Sequence, residues 1–467
     1  MLEGLFYVLI SRTSHIHRDD DRITYCDLLW IKYIDEKDSL LVLLSSMNVA
    51  YAAQDTHVDV LSGQVLSEND LLLGIFNGQS FDLSPTTFFD IQSGGVIGPI
   101  ESAGIDKPFN FAGSTIHVNS GGQYSRFLDP WSYATNLNLN AANGSMIFDL
   151  YLSGASSTLN VDGATVFLGS ASSGATVNMT DGFFVSGYSI FDKSTLNMSG
   201  GSMGGVFNAS NQSVVNMDGG VMGINSSVTD GSEMNLSGGV VESGFHSETG
   251  SVVNIFGGTI GDSFRARLSI VNLSHGEIGD EYHTFTNETY VSGGDIGNSF
   301  WADSGSTVYM SSGSIGNDFY VGPEIFFAQH VVVNMSGGSI GDRAKILHRG
   351  TINISGGSIG EAFTAFTGSS VNLFVTELMI DGQVVDLELN KETLISTRGG
   401  ALLEAVLADG SYLDFTLNST HVAGEDRFDT STGLTVTFVP APGIGTMLGI
   451  LGVLGFRRHR GLPQKQE

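Results

Sequence analysis

The sequence predicts an all-β chain: a single-stranded parallel β-helix, or β-solenoid, of about 12–14 coils between β-rich caps. Three observations predict it. A 19-residue period organises the middle of the chain, two glycine columns recur once per period, and apolar and polar residues alternate about a recurring Asn. Helices are excluded because no unit carries a ten-residue run at helical spacing, and the apolar residues are largely β-branched, Met or aromatic.

The repeat aligns on Asn160, Asn178, Asn197, Asn216, Asn235, Asn254, Asn272, Asn334, Asn353 and Asn372, with Tyr290 and Tyr309 in the same slot. Successive spacings are 18, 19, 19, 19, 19, 18, 18, 19, 25, 19 and 19 residues. Weaker copies lie upstream at Asn119 and Asn138. With the Asn slot as zero, slots −1 and +1 are apolar, so they point inward and the Asn points outward. Gly recurs at +4 (Gly182 through Gly357) and at +7 (Gly204 through Gly360), which marks a positive-φ turn or a close backbone approach. Slot +6 is aliphatic, as in Ile260 and Ile315, and slot +10 is aromatic, as in Phe264, Tyr282 and Phe300. Stacked coils turn these columns into a continuous core, and the Asn178, Asn197, Asn216, Asn235, Asn254, Asn272, Asn334 and Asn353 column into an amide ladder. The long 25-residue step predicts a loop bulging from one coil near GPEIFFAQH. Right-handed coiling is favoured, and the period leaves a left-handed helix of about 18 residues per coil open.

The predicted domains are a leader over 1–53, an N-terminal cap with degenerate coils over 54–157, repeats over 158–375, a β cap over 376–438 and a tail over 439–467. The β cap is read from alternating strands around Asp381-Gly382 and Asp409-Gly410, both hairpin-turn dipeptides. In the leader, the apolar run from Ser39 followed by Ala50-Tyr51-Ala52 has the form of a secretory signal with its cleavage site. That run begins far from Met1, which places the true start downstream, at a non-Met codon near Leu29–Lys32.

Charge narrows the function. Lys plus Arg is 20 and Asp plus Glu is 49, a net charge of −29, which excludes phosphate-neutralising nucleic-acid binders. Gly supplies 62 of 467 residues without a strict triplet, so the chain is not collagen. A single Cys excludes a disulfide scaffold and a multi-Cys metal site.

The tail reads Val439-Pro440-Ala441-Pro442, a Gly/Leu-rich apolar stretch over 443–456, and a basic cluster of Arg457, Arg458 and Arg460. An apolar span followed by basic residues has the form of a membrane stop signal. This tripartite tail resembles the PEP-CTERM sorting signal of bacteria, with Ala441 where that family has Glu. The resemblance implies a transient C-terminal transmembrane anchor, passage through export machinery, and tail removal by an exosortase-like enzyme. It implies a secreted or cell-surface location. A plain membrane anchor is the competing reading.

No catalytic residue is assigned. Asp162, Asp181 and Asp218 recur among Ser and Thr at turn slots and read as a turn-polar ladder. Slot +8 gives Asp262, Asp280, Asn298, Asn317, Asp342 and Glu361; the carboxylates of Asp262, Asp280 and Asp342 are the candidate Ca²⁺ ligands, against the reading of solvated turn acids. His246, His275, His283, His330 and His348 read as dispersed over unrelated slots, without a metal spacing. Arg265, Arg267, Arg343, Lys345 and Arg349 read as surface cations, with contact to an acidic glycan as the alternative. The expected function is an exported structural or adhesive protein of the cell surface or of an extracellular polysaccharide matrix, without a cofactor apart from possible Ca²⁺. The alternatives are a polysaccharide lyase or hydrolase on a pectin-lyase-like β-helix, and a Ca²⁺-stabilised glycan-binding module.

Overall fold

A computed structural model describes residues 18–19, 22–23, 55–98, 109–124, 133–324 and 329–440. The chain divides into two units, Met1–Ala53 and Gln54–Glu467. In the first, Arg18–Asp19 pairs antiparallel with Arg22–Ile23. The apolar run from Ser39 and the tail beyond Pro440 lie outside the described residues, and no described helix is long and apolar enough to cross a membrane.

The second unit is a parallel β-solenoid of about 13 turns with a repeat near 19 residues. Each regular coil has three faces. In the coil of Asn197, the first face is Thr195–Met198, the second Ser202–Met203 and the third Phe207–Ala209. On the first face Leu196 and Met198 are buried, while Thr195 and Asn197 face outward, as alternation requires. The third faces form one 15-stranded parallel sheet. The first and second faces belong to one 32-stranded sheet, because strands such as Val331–Ile340 and Gly350–Ile359 cross the corner between them.

Parallel pairing on the first face starts at Thr56–Val60 and runs unbroken to Gly433–Phe438. Upstream, the ladder slot is displaced by two residues from the positions read from sequence: Asn140, two residues after Asn138, stands opposite Asn160, and His117, two residues before Asn119, stands opposite Asn140. A two-residue slip keeps the same face outward, so the pattern alone does not reveal it. The early coils are longer because they carry insertions, including a helix, Glu68–Leu73, started by a Ser67–Asp70 capping box.

The two glycine columns have different causes. Every +4 Gly from Gly182 to Gly357 has positive φ, between 73° and 110°. The +7 glycines are close approaches instead: a Cβ on Gly279 or Gly297 would collide with the Asp262 or Asp280 carboxylate of the coil before. Aromatic +10 residues stack inside the third face, with Tyr282 and Phe300 centroids 4.7 Å apart and Phe300 and Phe319 4.9 Å apart. Slot +12 complements them. It is small beside Phe264 and Phe300 (Ala266, Ala302), and larger where the ring is missing: Val228 beside Ser226 and Ile346 beside Ala344. The exceptions are Tyr188 with Ile190 and Phe319 with Val321, where ring and branched side chain are both present.

The last coil is closed by hairpins at the predicted turns. Ile380 pairs with Gln383 around Asp381-Gly382, and Ala401–Leu407 pairs with Tyr412–Leu417 around Asp409-Gly410. The Asp409 carboxylate and Ser411 hydroxyl accept the Gly357 amide at 3.0 Å each, anchoring the second hairpin to the stack.

Candidate functional site

Three outward columns carry polar chemistry, and each is set by the coil geometry. On the first face the Asn column is a hydrogen-bonded amide ladder. Each Nδ2 donates to the Oδ1 one coil earlier, from Asn160 onto Asn140 (2.6 Å) through Asn272 onto Asn254 (2.8 Å). It resumes with Asn353 onto Asn334 (2.8 Å) and Asn372 onto Asn353 (2.7 Å). Between the two runs the rings of Tyr290 and Tyr309 stack at 4.9 Å.

The slot +8 column lies at the corner before the third face. Asp262 Oδ1 accepts the Asp280 amide at 2.9 Å, Asp280 Oδ1 accepts the Asn298 amide at 2.6 Å, and Asp342 Oδ1 accepts the Glu361 amide at 2.8 Å. Asn298 and Asn317 do the same with their carbonyl oxygens. The structure therefore brings Asp262 and Asp280 to adjacent coils but separates Asp342 from Asp280 by Asn298 and Asn317. Each of these carboxylates has an oxygen engaged by a backbone amide. Among the described residues, no group of three or more His, Cys, Asp or Glu side chains converges to hold a metal ion.

The third face holds the most distinctive surface. Its outward column at slot +11 reads His246, Arg265, His283, Trp301, Tyr320 and Lys345, in direct register. His246 and His283 thus share one column and flank Arg265; the reading of the histidines as unrelated is corrected. Both lie eleven residues after their Asn, so the signal was present in the numbering, but residue identity changes at every step and hides the column. Rings stack along it: His283 on Trp301 at 5.8 Å, Trp301 on Tyr320 at 5.0 Å, and Lys345 Nζ over Tyr320 at 4.6 Å. Trp301 Nε1 donates to the Gly322 carbonyl at 3.0 Å.

Two carboxylates order this face. Asp303, 6% exposed, accepts from His283 Nε2 (3.2 Å) and from the amides of Ser304 (2.6 Å) and Glu324 (3.1 Å). Burial pushes its pKa up, but these hydrogen bonds together outweigh burial and hold it below the usual carboxylate value. Asp318 is held low chiefly by Arg343, which reaches it through Nε and Nη2 (2.7 Å), with Lys345 Nζ at 3.5 Å. Arg265 and Arg267 are exposed and make no ion pair with a described carboxylate. The Arg267 guanidinium lies 5.7 Å from the Phe285 ring centroid.

Of the sorting-signal residues, Pro440 is the last described residue; Ala441, Pro442, Arg457, Arg458 and Arg460 lie outside the described residues. No protein-family model, curated protein or solved structure matches the chain.

Proposed function

We propose that this protein is a non-catalytic structural or adhesive rod, exported and displayed at the cell surface or in an extracellular polysaccharide matrix. One observation carries the reading: the outward columns are spent on coil-to-coil bonding. The first-face amides bond to one another, and the slot +8 side chains bond the next coil's backbone. Such self-complementary columns make a stiff scaffold, whereas a hydrolase or lyase needs an acid and a base free to reach substrate. The sequence tail supplies the route, through export machinery and an exosortase-like processing enzyme acting on a transient membrane anchor. Bound Ca²⁺ at Asp262 or Asp280 belongs to this proposal only as an accessory.

Fractionation of the producing cell, with mass spectrometry of both mature termini, tests the reading. The expected result is a protease-accessible surface or matrix protein lacking the 441–467 tail. Recovery in the cytosol with an intact tail overturns it. The enzymatic alternative is decided on purified protein. His283 held by Asp303 is the nearest approach to an oriented base, and release of unsaturated or reducing ends from polyuronates, abolished by H283A, establishes an enzyme.

A further inference from the structure

Between Lys193 and Lys391 the basic residues of the chain are Arg265, Arg267, Arg343, Lys345 and Arg349. All five fall on the third face or on the corners that bound it. In a chain of net charge −29, that clustering gathers the cations of the repeats on one face, beside Glu248, which stands opposite Arg267, and Asp318, which pairs with Arg343 and Lys345. Arg265 and Arg267 alternate with the buried Ala266, so both project outward from one strand. Four coils further on, Arg343 and Lys345 form the second cationic end. At about 4.8 Å per coil the two ends are roughly 19 Å apart.

Between them runs the ring column of His283, Trp301 and Tyr320, with Phe285 exposed beside it. The carboxylates of this stretch are engaged within the protein, Asp303 by His283 and Asp318 by Arg343 and Lys345. Because these rings stack on one another along the axis, their faces are covered and their edges look outward. Trp301 Nε1 is already committed to Gly322.

We infer that the third face is a binding strip for an acidic polysaccharide, running along the solenoid axis from Arg265 and Arg267 to Arg343 and Lys345. The inference rests on the surface-rod reading above and deepens it by naming the partner. Guanidinium groups pair with uronate carboxylates in charge-assisted hydrogen bonds. Ring edges and the Phe285 side chain offer an apolar ridge for the hydrocarbon face of a sugar. Nucleic acid is disfavoured by the same geometry, since single strands need open aromatic faces on which bases stack. Two cationic ends also make the strip bivalent, so a chain long enough to reach both gains over a short one.

The test uses the full chain and measures binding to alginate as a long polyuronate, to a uronate disaccharide, to neutral dextran and to single-stranded DNA. Alginate is expected to bind, the disaccharide far more weakly and dextran not at all, with alginate binding falling as salt rises. The double variant R265E/R267E is expected to lose at least about tenfold in affinity, as removal of charge-assisted pairs implies. The milder R265Q/R267Q is expected to lose affinity in the same direction without placing a carboxylate opposite Glu248, and a cooperative melting transition confirms that each variant is folded. K193E, remote from the strip, is expected to bind alginate as the unchanged protein does. Equal binding to dextran, preference for DNA, or full alginate affinity in the folded double variant overturns the inference. Surface localisation without alginate binding defeats the strip and leaves the rod; alginate binding by a protein found only in the cytosol defeats the rod.

Discussion

The coils of Asn178 to Asn272 and those of Tyr290 and Tyr309 share one backbone plan but differ in what holds them together. In the first set the outer first face is an unbroken amide ladder, and in the coils of Asn178 to Asn216 the third face carries small polar residues such as Ser189, Asn208 and Ser227. In the second set the amides give way to stacked Tyr290 and Tyr309, and the third face carries Trp301 and Tyr320. A buried polar network also enters the core there, from Tyr282 Oη to Thr289 (3.0 Å) and from Thr289 to Asn287 (2.6 Å). Side chains in the outer columns are therefore interchangeable, since the same backbone register holds amides, rings and cations in turn. Where that interchange replaces short polar groups by rings and cations, the surface becomes useful for contact.

Four measurements break or sharpen this comparison. Phe300→Ala removes a ring packed between Tyr282 and Phe319 and is expected to cost about 3–5 kcal/mol by urea unfolding. A cost near that of an exposed residue breaks the claim that the aromatic column is the core of these coils. Asn235→Ala severs two ladder bonds, to Asn216 and from Asn254, and is expected to cost about 1–2 kcal/mol. Tyr290→Asn, which trades ring stacking for a bond to Asn272, is expected to stay within about 1 kcal/mol of the unchanged protein, and a large loss there refutes interchangeability. The smallest effect is acid-dependent. The Asp303 pKa is depressed in the folded state, so its contribution is present above the unfolded value of about 3.9 and disappears as pH falls through the folded one. The stability gap between the unchanged protein and Asp303→Asn is therefore expected to narrow as pH falls below about 4, and a gap that persists in acid removes the carboxylate from the account.

The solenoid was legible in the sequence because its columns repeat residue identity: Gly258 and Gly276 for the turn, Ile260 and Ile278 for the core, Asn254 and Asn272 for the ladder. The third-face surface was not, because His283, Trp301 and Tyr320 share a slot but no side-chain type. The corner before that face was hidden for a related reason. Ser263, Glu281, Ser299, Asp318 and Arg343 all hold positive φ between 57° and 61°, a conformation usually marked by Gly, and four residue types fill these five slots of one shape. The buried Ser column, as in Ser194 bonded to the Phe191 carbonyl (2.8 Å) and Ser213 bonded to that of Ser210 (2.7 Å), repeats plainly but imitates ordinary loop polarity.

That corner also locks the coils to one another in register. The Ser263 amide reaches forward to the Asp280 carbonyl at 2.8 Å, and the Asp262 carboxylate receives the Asp280 amide. Glu281 and Asp280 make the same two bonds to Asn298. The earlier coil thus presents one donor and one acceptor from two neighbouring residues. The next coil meets that pair with the amide and carbonyl of a single residue. Each corner is thus a two-point clamp that fixes the register of one coil on its neighbour, so a slip of one residue at the corner would break both bonds at once.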